Sequence, residues 1–458
     1  MNLINSDKKN YFNVAYYLIL LLPLSIVFSR FVADLSVVIL SIIFFFIFED
    51  NKIFKNKLLV FAFAFVFFAS VSSVLSDHEI FSLKSSVLYL RFILFILTVS
   101  ILFLYFETKL LKVLFNILLC CYIILLFDAT FQFIFKHNIF GYTTNPITRV
   151  SSLFFSELIL GSYLSRLFPL LCFLYVFLKL RLNNFFILYF LLHLYFVVFI
   201  TGERLAFAIL NIYYFMFGLF YFKKLYNKFL YVIVLIITFF CVSYFSSTFE
   251  ARSSLKTTFS GSMKQNYTIC DNTKTQIKTV PELSERWKIN GKKNELFENK
   301  TYTPNCDPIF KIFGIEFFYI FSVHHFNHYL SAFEIFKDNK SFGVGPKNFR
   351  KICKNEKYYL NKFSCSTHPH NYFIQILAET GIVGFFLFSS IYLIMFYFFV
   401  DNFFRKNNKN FLTKYILLTC FLINFFPIFP SGNFFNNWNA IVYTFPLGFL
   451  LGLFRLKN

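Results

Sequence analysis

Apolar runs of about twenty residues, the length that crosses the hydrocarbon core as a helix, succeed one another along most of this chain. They fall near 11–29, 31–48, 58–76, 86–106, 113–135, 158–178, 185–200, 203–222, 229–247, 380–400, 415–430 and 437–454. Only Thr201-Gly202 separates the seventh from the eighth. At 57% hydrophobic residues and a mean hydropathy of +0.62, the apolar surface is more than a water-soluble globule covers. The runs are continuous rather than alternating, which excludes the strands of a membrane barrel. The first has no small-residue cleavage site and reads as a retained span. The expected fold class is all-α: a polytopic membrane protein of about twelve transmembrane helices.

The net charge of +21 raises the question of an anionic partner. Its distribution answers it. Lys8, Lys9, Lys52, Lys55, Lys57, Lys109, Lys112, Lys179, Arg181, Lys223, Lys224, Lys228, Arg405, Lys406, Lys409, Lys414, Arg455 and Lys457 fall in alternate connections. The short connections between them hold only Arg30, Lys84, Lys136, Arg149 and Arg204. Basic residues collect on the cytoplasmic side, so the first set is cytoplasmic and the second exterior. This accounts for most of the charge, and no nucleic-acid motif accompanies it. Residues 248–371 are polar and mixed, and the alternation makes them one exterior loop between spans nine and ten. The chain thus divides into helices at 1–247, a loop domain at 248–371 and helices at 372–458. One apolar interruption, IFKIFGIEFFYIFSV at 309–323, reads as an interfacial or buried helix. Cys270, Cys306, Cys353 and Cys365 lie in the loop. On an oxidising face they favour disulfides. A metal site is the rival, but no CxxC is present. Of the three connectivities, the nearest-neighbour pairing Cys270–Cys306 and Cys353–Cys365 is the one expected.

Ionisable groups at membrane depth or at its edge are functional candidates: Asp128, Arg149, Glu157, Arg166 and Arg204. In TGERLAFAIL (201–210), Arg204 is either a snorkelling anchor or an anion clamp, since a guanidinium presents a fork of donors to phosphate oxygens. Arg149, in another exterior connection, supplies a second positive charge. The GVGP of FKDNKSFGVGPKNFR (336–350) lacks phosphate-loop spacing and reads as a structural turn. His324, His325, His328, His368 and His370 cluster toward the end of the loop. In HPHN (368–371), Pro369 keeps His368 out of helical geometry and Asn371 is placed to cap the helix opening at Tyr372. His370 is a candidate general base, because imidazole takes a proton near neutral pH. An HxH metal pair is the alternative.

Four of these stretches together resemble the O-antigen ligase and O-antigen polymerase superfamily. HPHNYFIQILAETGIVGFFLF (368–388) is similar to its His-x-His-Asn signature with a following Glu-x-Gly. FKDNKSFGVGPKNF resembles its GxGxxxF segment, and TGERLAFAIL its Thr-Gly-Ser-Arg-Gly segment. FDATFQFIFKHNIFGY with the later RVSSLFF resembles its Asp-x-x-x-Gln segment and following Arg. The resemblance covers roughly residues 120–390. It implies a membrane glycosyltransferase on the periplasmic face of a bacterial inner membrane. The donor would be a polyprenyl diphosphate-linked glycan and the acceptor a lipid A-core sugar or other glycan, with no metal or cofactor. Arg204 and Arg149 would hold the diphosphate, His370 would activate the acceptor hydroxyl, and His368 and Asn371 would orient the site. The chain departs from the family where an arginine usually opens the helix leading into GxGxxxF; His325 stands near there, with His328, Arg286 and Arg252 as other substitutes. Glu203 replaces the usual small residue before Arg204. A lipid-linked sugar transporter or flippase is the rival from another class, and an anchor for a partner-binding domain is a third.

Overall fold

The computed structural model describes residues 6–49, 56–143, 149–221, 233, 309–312, 315–318, 323–359, 364–404 and 410–456. Helices dominate. They are α1 (Ser6–Phe28), α2 (Arg30–Ile47), α3 (Lys57–Val74), α4 (Glu79–Ser86), α5 (Leu90–Phe135), α6 (Leu160–Phe177), α7 (Asn184–Ile200), α8 (Arg204–Tyr221), α9 (Val323–Asp338), α10 (Phe349–Ile352), α11 (Tyr372–Phe404), α12 (Phe411–Asn424) and α13 (Asn437–Arg455). Eleven of the twelve sequence-predicted spans fall on these helices. The ninth, 229–247, lies outside the described residues. Seven described helical stretches are long and apolar enough to cross a membrane, and α7, α8 and α12 are shorter apolar helices. The sequence expectation of two spans over 86–135 meets one helical run broken at Glu107, whose φ of 44° and ψ of −123° interrupt the helix.

One expectation is corrected. The 309–323 stretch is not a helix at its start: β1 (Ile309–Ile312) and β2 (Ile315–Phe318) pair antiparallel, with Lys311 opposite Glu316. Ile and Phe favour extended backbone, and single charges interleaved among them match a period of two better than a helical face.

The helices share one apolar core running from Phe12 to Leu453. Along α13, Gly448 and Gly452 stand one turn apart where Val99 and Phe103 of α5 press in, so the missing side chains let the two backbones approach. A smaller core joins α9, α10 and the first turns of α11 through Ala332, Ile335, Val344, Phe349, Cys353, Tyr358 and Ala378.

That smaller core ends in a backbone latch. Val344 N–H donates to Ala378 O at 3.1 Å, Gly345 N–H to Glu379 O at 2.8 Å, and Ile382 N–H to Lys340 O at 2.8 Å. The glycines make the approach possible. Gly343 and Gly381 have φ of 68° and 66°, and a Cβ on Gly343 would stand 2.5 Å from the Glu379 carbonyl carbon. Helix α11 breaks at Gly381 for this reason. Serines of the α3–α4 corner complete the latch. Ser72 donates to Glu379 O at 2.8 Å and to Phe342 O, and Ser82 donates to Pro346 O at 2.9 Å. The GVGP turn is structural, as the sequence suggests.

Candidate active site

The connections that the charge asymmetry assigns to the exterior side meet around one cavity of about 870 Å³. Arg30 and Asp34 enter from the α1–α2 corner, Lys84 and Arg91 from α4 and the start of α5, Glu157 and Arg166 from α6 and its approach. Glu203 comes from the α7–α8 turn, Lys347, Arg350 and His368 from the loop before α11, and Asn433 to Asn439 from the α12–α13 connection. The larger basic set makes contacts of its own: Lys8 pairs with Glu49, and Lys414 lies 5.8 Å from the Phe454 ring.

The cavity is cationic. Arg30, Lys84, Arg91, Arg166, Lys347 and Arg350 face three carboxylates, Asp34, Glu157 and Glu203. Two carboxylates are spoken for: Arg30 pairs with Glu157 at 2.6 Å and Arg91 with Asp34 at 2.7 Å. Glu203 caps α6, accepting from Gly161 N–H at 2.7 Å, Ser162 N–H at 3.0 Å and the Ser162 hydroxyl at 2.6 Å. A carboxylate suits that helix N-terminus, which gives the Glu203 departure a structural reason. Among the described residues Lys84, Arg166, Lys347 and Arg350 have no salt-bridged carboxylate. Arg166 is buried, donating to Asn424 Oδ1 at 2.9 Å with its guanidinium 5.1 Å from the Tyr443 ring centre. Burial, then the neighbouring Arg350, pushes the Lys347 ammonium below its usual pKa. Excess positive charge in a cavity with low-dielectric walls attracts anions.

Beside it stand four imidazoles. The His370 ring lies 4.1 Å from His368, 5.1 Å from His325 and 5.4 Å from His328, centre to centre. His325 and His328 come from the first turns of α9 and His368 and His370 from the strap before α11. The α12–α13 connection clamps that strap: Ser431 N–H donates to His370 O at 2.7 Å, and Asn371 Nδ2 donates to Pro427 O at 2.7 Å. Asn371 Oδ1 accepts from Ile374 N–H at 3.1 Å, so the expected cap is present.

The two strap histidines differ. His368 is buried, with Nδ1 against the Thr367 hydroxyl at 2.9 Å and Nε2 donating to Ser431 O at 3.2 Å. Both nitrogens are engaged, and burial pushes its pKa down to about 4. His370 is part-exposed, and among the described residues its ring nitrogens have no hydrogen-bond partner. Burial first, then the surrounding imidazoles, depress its pKa far below the usual value, so the ring is neutral with a lone pair to offer. Its backbone φ is 62°, as is that of Lys347. Left-handed non-glycine residues concentrate at functional sites. His368 lines the cavity; His370 sits one ring behind it. Among the described residues no group of three or more His, Cys, Asp or Glu could hold a metal ion.

Arg149 and Arg204 do not line the cavity. They flank its edge at the α7–α8 turn, where Arg149 Nε donates to Thr201 O at 3.1 Å and its side chain lies against Gly202. Arg204 is exposed and follows directly on the cavity residue Glu203. Asp128 and Gln132 hold the segment leading to Arg149. Asp128 accepts from Ile139 N–H at 2.9 Å and from the Ser152 hydroxyl, and Gln132 Oε1 accepts from the Ser151 and Ser152 N–H groups at 2.9 and 2.7 Å. Sequence reasoning missed Lys347, Arg350 and Arg91 as site residues. The PKNFR that follows GVG was the signal for the first two.

No curated protein matches the chain. Residues 322–389, from α9 through the GVGP latch and the histidine strap into α11, match the family model described as O-antigen ligase. Over that segment the chain is similar to the O-antigen ligase family, in agreement with the resemblance to the O-antigen ligase and polymerase superfamily that the motifs carry.

Proposed function

We propose that the chain transfers a glycan from a polyprenyl diphosphate carrier to an acceptor hydroxyl, a lipid A-core sugar in the first instance, at the periplasmic face of the inner membrane. The observation that carries this reading is the His370 ring, with no hydrogen-bond partner among the described residues, beside a cavity where Lys84, Arg166, Lys347 and Arg350 have no salt-bridged carboxylate. Lys347, Arg350 and Arg166 take the carrier diphosphate, with Arg149 and Arg204 at the adjoining turn. The acceptor reaches His370 from its exposed side. Its oxygen bonds to the anomeric carbon as the bond from that carbon to the phosphate oxygen breaks, and its proton passes to His370. The leaving diphosphate keeps the electron pair, and cations already in position stabilise that charge without reorganising. A bound diphosphate also favours the imidazolium, so the donor itself strengthens the base. His325 and His368 hold the His370 ring, and Asn371 fixes the strap.

The test is a reconstituted transfer assay with polyprenyl-diphosphate glycan, offering lipid A-core, a second carrier-linked glycan and a hydroxyl-bearing protein in parallel. Product on lipid A-core supports ligation; product only on carrier-linked glycan or on protein moves the assignment to a polymerase or a protein O-glycosylating enzyme. A protein that carries the lipid-linked glycan across a vesicle membrane but links it to nothing is a flippase, and the reading fails.

A further inference from the structure

Two thiols face each other just behind the histidine strap. Cys353 ends α10 (Phe349–Ile352), donates its N–H to Phe349 O at 2.9 Å, and is fully buried. Cys365, three residues before His368, packs half-buried against the same small core. The two side chains pack in the same small core, and both are free thiols in this structure. We propose that Cys353 and Cys365 form a disulfide in the working protein, tying the helix that carries Arg350 to the strap that carries His368 and His370. Disulfides need their partners close before oxidation, and the small core that α10 shares with the strap is where the fold brings these two together.

The chemistry is thiol–disulfide exchange. Cys365, the more accessible thiol, loses its proton and attacks a disulfide oxidant such as oxidised glutathione, releasing one glutathione thiol. Cys353 then attacks the mixed disulfide and releases the second. Two protein thiols lose two electrons and two protons overall, and one oxidised glutathione becomes two reduced molecules. The neighbouring Cys365 thiol, then burial, push the Cys353 thiol up, so the more accessible Cys365 attacks first and Cys353 gives up its proton as it resolves the mixed disulfide. Once formed, the bond fixes the spacing between a cavity cation and the imidazole stack, which otherwise rests on the latch and the clamp. The exterior placement of the loop enters only as the source of an oxidant in the cell.

The experiment is differential thiol labelling on the full-length protein in detergent, equilibrated with oxidised glutathione. It is denatured, blocked with one maleimide, reduced, and labelled with a second of different mass. Residues 353 and 365 are expected to carry only the second label, and a linked peptide joining them to appear before reduction. First-step labelling of both, or linkage of either to Cys270 or Cys306, overturns the proposal. In Cys353→Ser, Cys365 should move to first-step labelling; continued protection overturns it as well, and Cys365→Ser supplies the reciprocal reading if the first variant does not accumulate. The readout needs no substrate, so an inactive protein with the bond intact counts against the proposed function and not against the disulfide.

Discussion

Replacing Gly381 with alanine tests whether the backbone latch holds the site. Gly381 has φ of 66° and ψ of −168°, a region essentially reserved for glycine, where other residues cost about 1–3 kcal/mol. Its Cβ would fall on the Ser341 carbonyl and stand 2.6 Å from Phe342 N, all backbone atoms with no rotamer to change. The 340–345 segment must therefore move. Doing so stretches the bonds Val344 to Ala378, Gly345 to Glu379 and Ile382 to Lys340, each worth about 1 kcal/mol net. The sum is about 3–6 kcal/mol, comparable to the whole stability of many domains. Gly141→Ala is the control. It too has a positive φ, 79°, but no described atom lies within 4 Å of its would-be Cβ, so it costs about 1 kcal/mol. The assay is thermal unfolding of detergent-solubilised protein, followed by loss of the monodisperse species. Gly381→Ala should melt far below Gly141→Ala. Equal midpoints would refute the claim that the two glycine segments are wedged together. Partial occupancy of folded Gly381→Ala should still show impaired transfer, because the latch carries Lys347 and Arg350.

Further outcomes follow from the site. His370→Ala should lower transfer by about 10²–10⁴-fold, the usual contribution of a general base, with membrane accumulation unchanged; wild-type transfer by this variant sinks the assignment. Arg350→Ala should raise the donor KM about 10–100-fold, the equivalent of one charge-assisted contact, measured by varying carrier-linked glycan at fixed acceptor; an unchanged KM removes the cavity from donor binding. The depressed pKa values of His368 and His370 fix a pH effect. Unfolded histidine takes a proton near pH 6.5 while the folded rings stay neutral, so stability is full above about pH 6.5 and falls as the pH drops below it. The loss should be on the order of 1–3 kcal/mol by pH 5 and smaller in His368→Asn; stability that is flat or rising on acidification would contradict the neutral stack.

The helices were legible because one signal, the length of apolar runs, decides them without tertiary context. The sorting of connections has a counterpart in the structure: of the sparse basic set Arg30 and Lys84 line the cavity, with Arg149 and Arg204 near its edge, whereas no described residue of the larger basic set lines it. Arg30 and Lys84 carried more than that bookkeeping revealed, since a cation that marks topology looks the same as one that lines a site. The 309–318 hairpin was misread because hydropathy alone does not distinguish a short apolar strand from a buried helix, whereas the alternation around Lys311 and Glu316 does. Asp128 and Gln132 read as functional or as family markers, yet their side chains bond to Ile139, Ser151 and Ser152. Burial of a polar group says that it has a partner, not that the partner is a substrate.

That distinction separates the site from its scaffold. Ser72, Ser82, Asn371, Gln375, Glu203 and Asp128 are all engaged with backbone or with each other, and together they join exterior connections that hydrophobic packing alone does not order. An apolar bundle fixes helix against helix, but lipid-side packing says nothing of how a loop six connections away meets another. Hydrogen bonds to main chain supply that register. The groups left over by this accounting are Lys347, Arg350, Lys84 and the His370 ring, and two of them sit at positive φ. In the proposed transfer these remaining groups, a base and three cations beside one cavity, are the ones that meet the diphosphate and the acceptor proton.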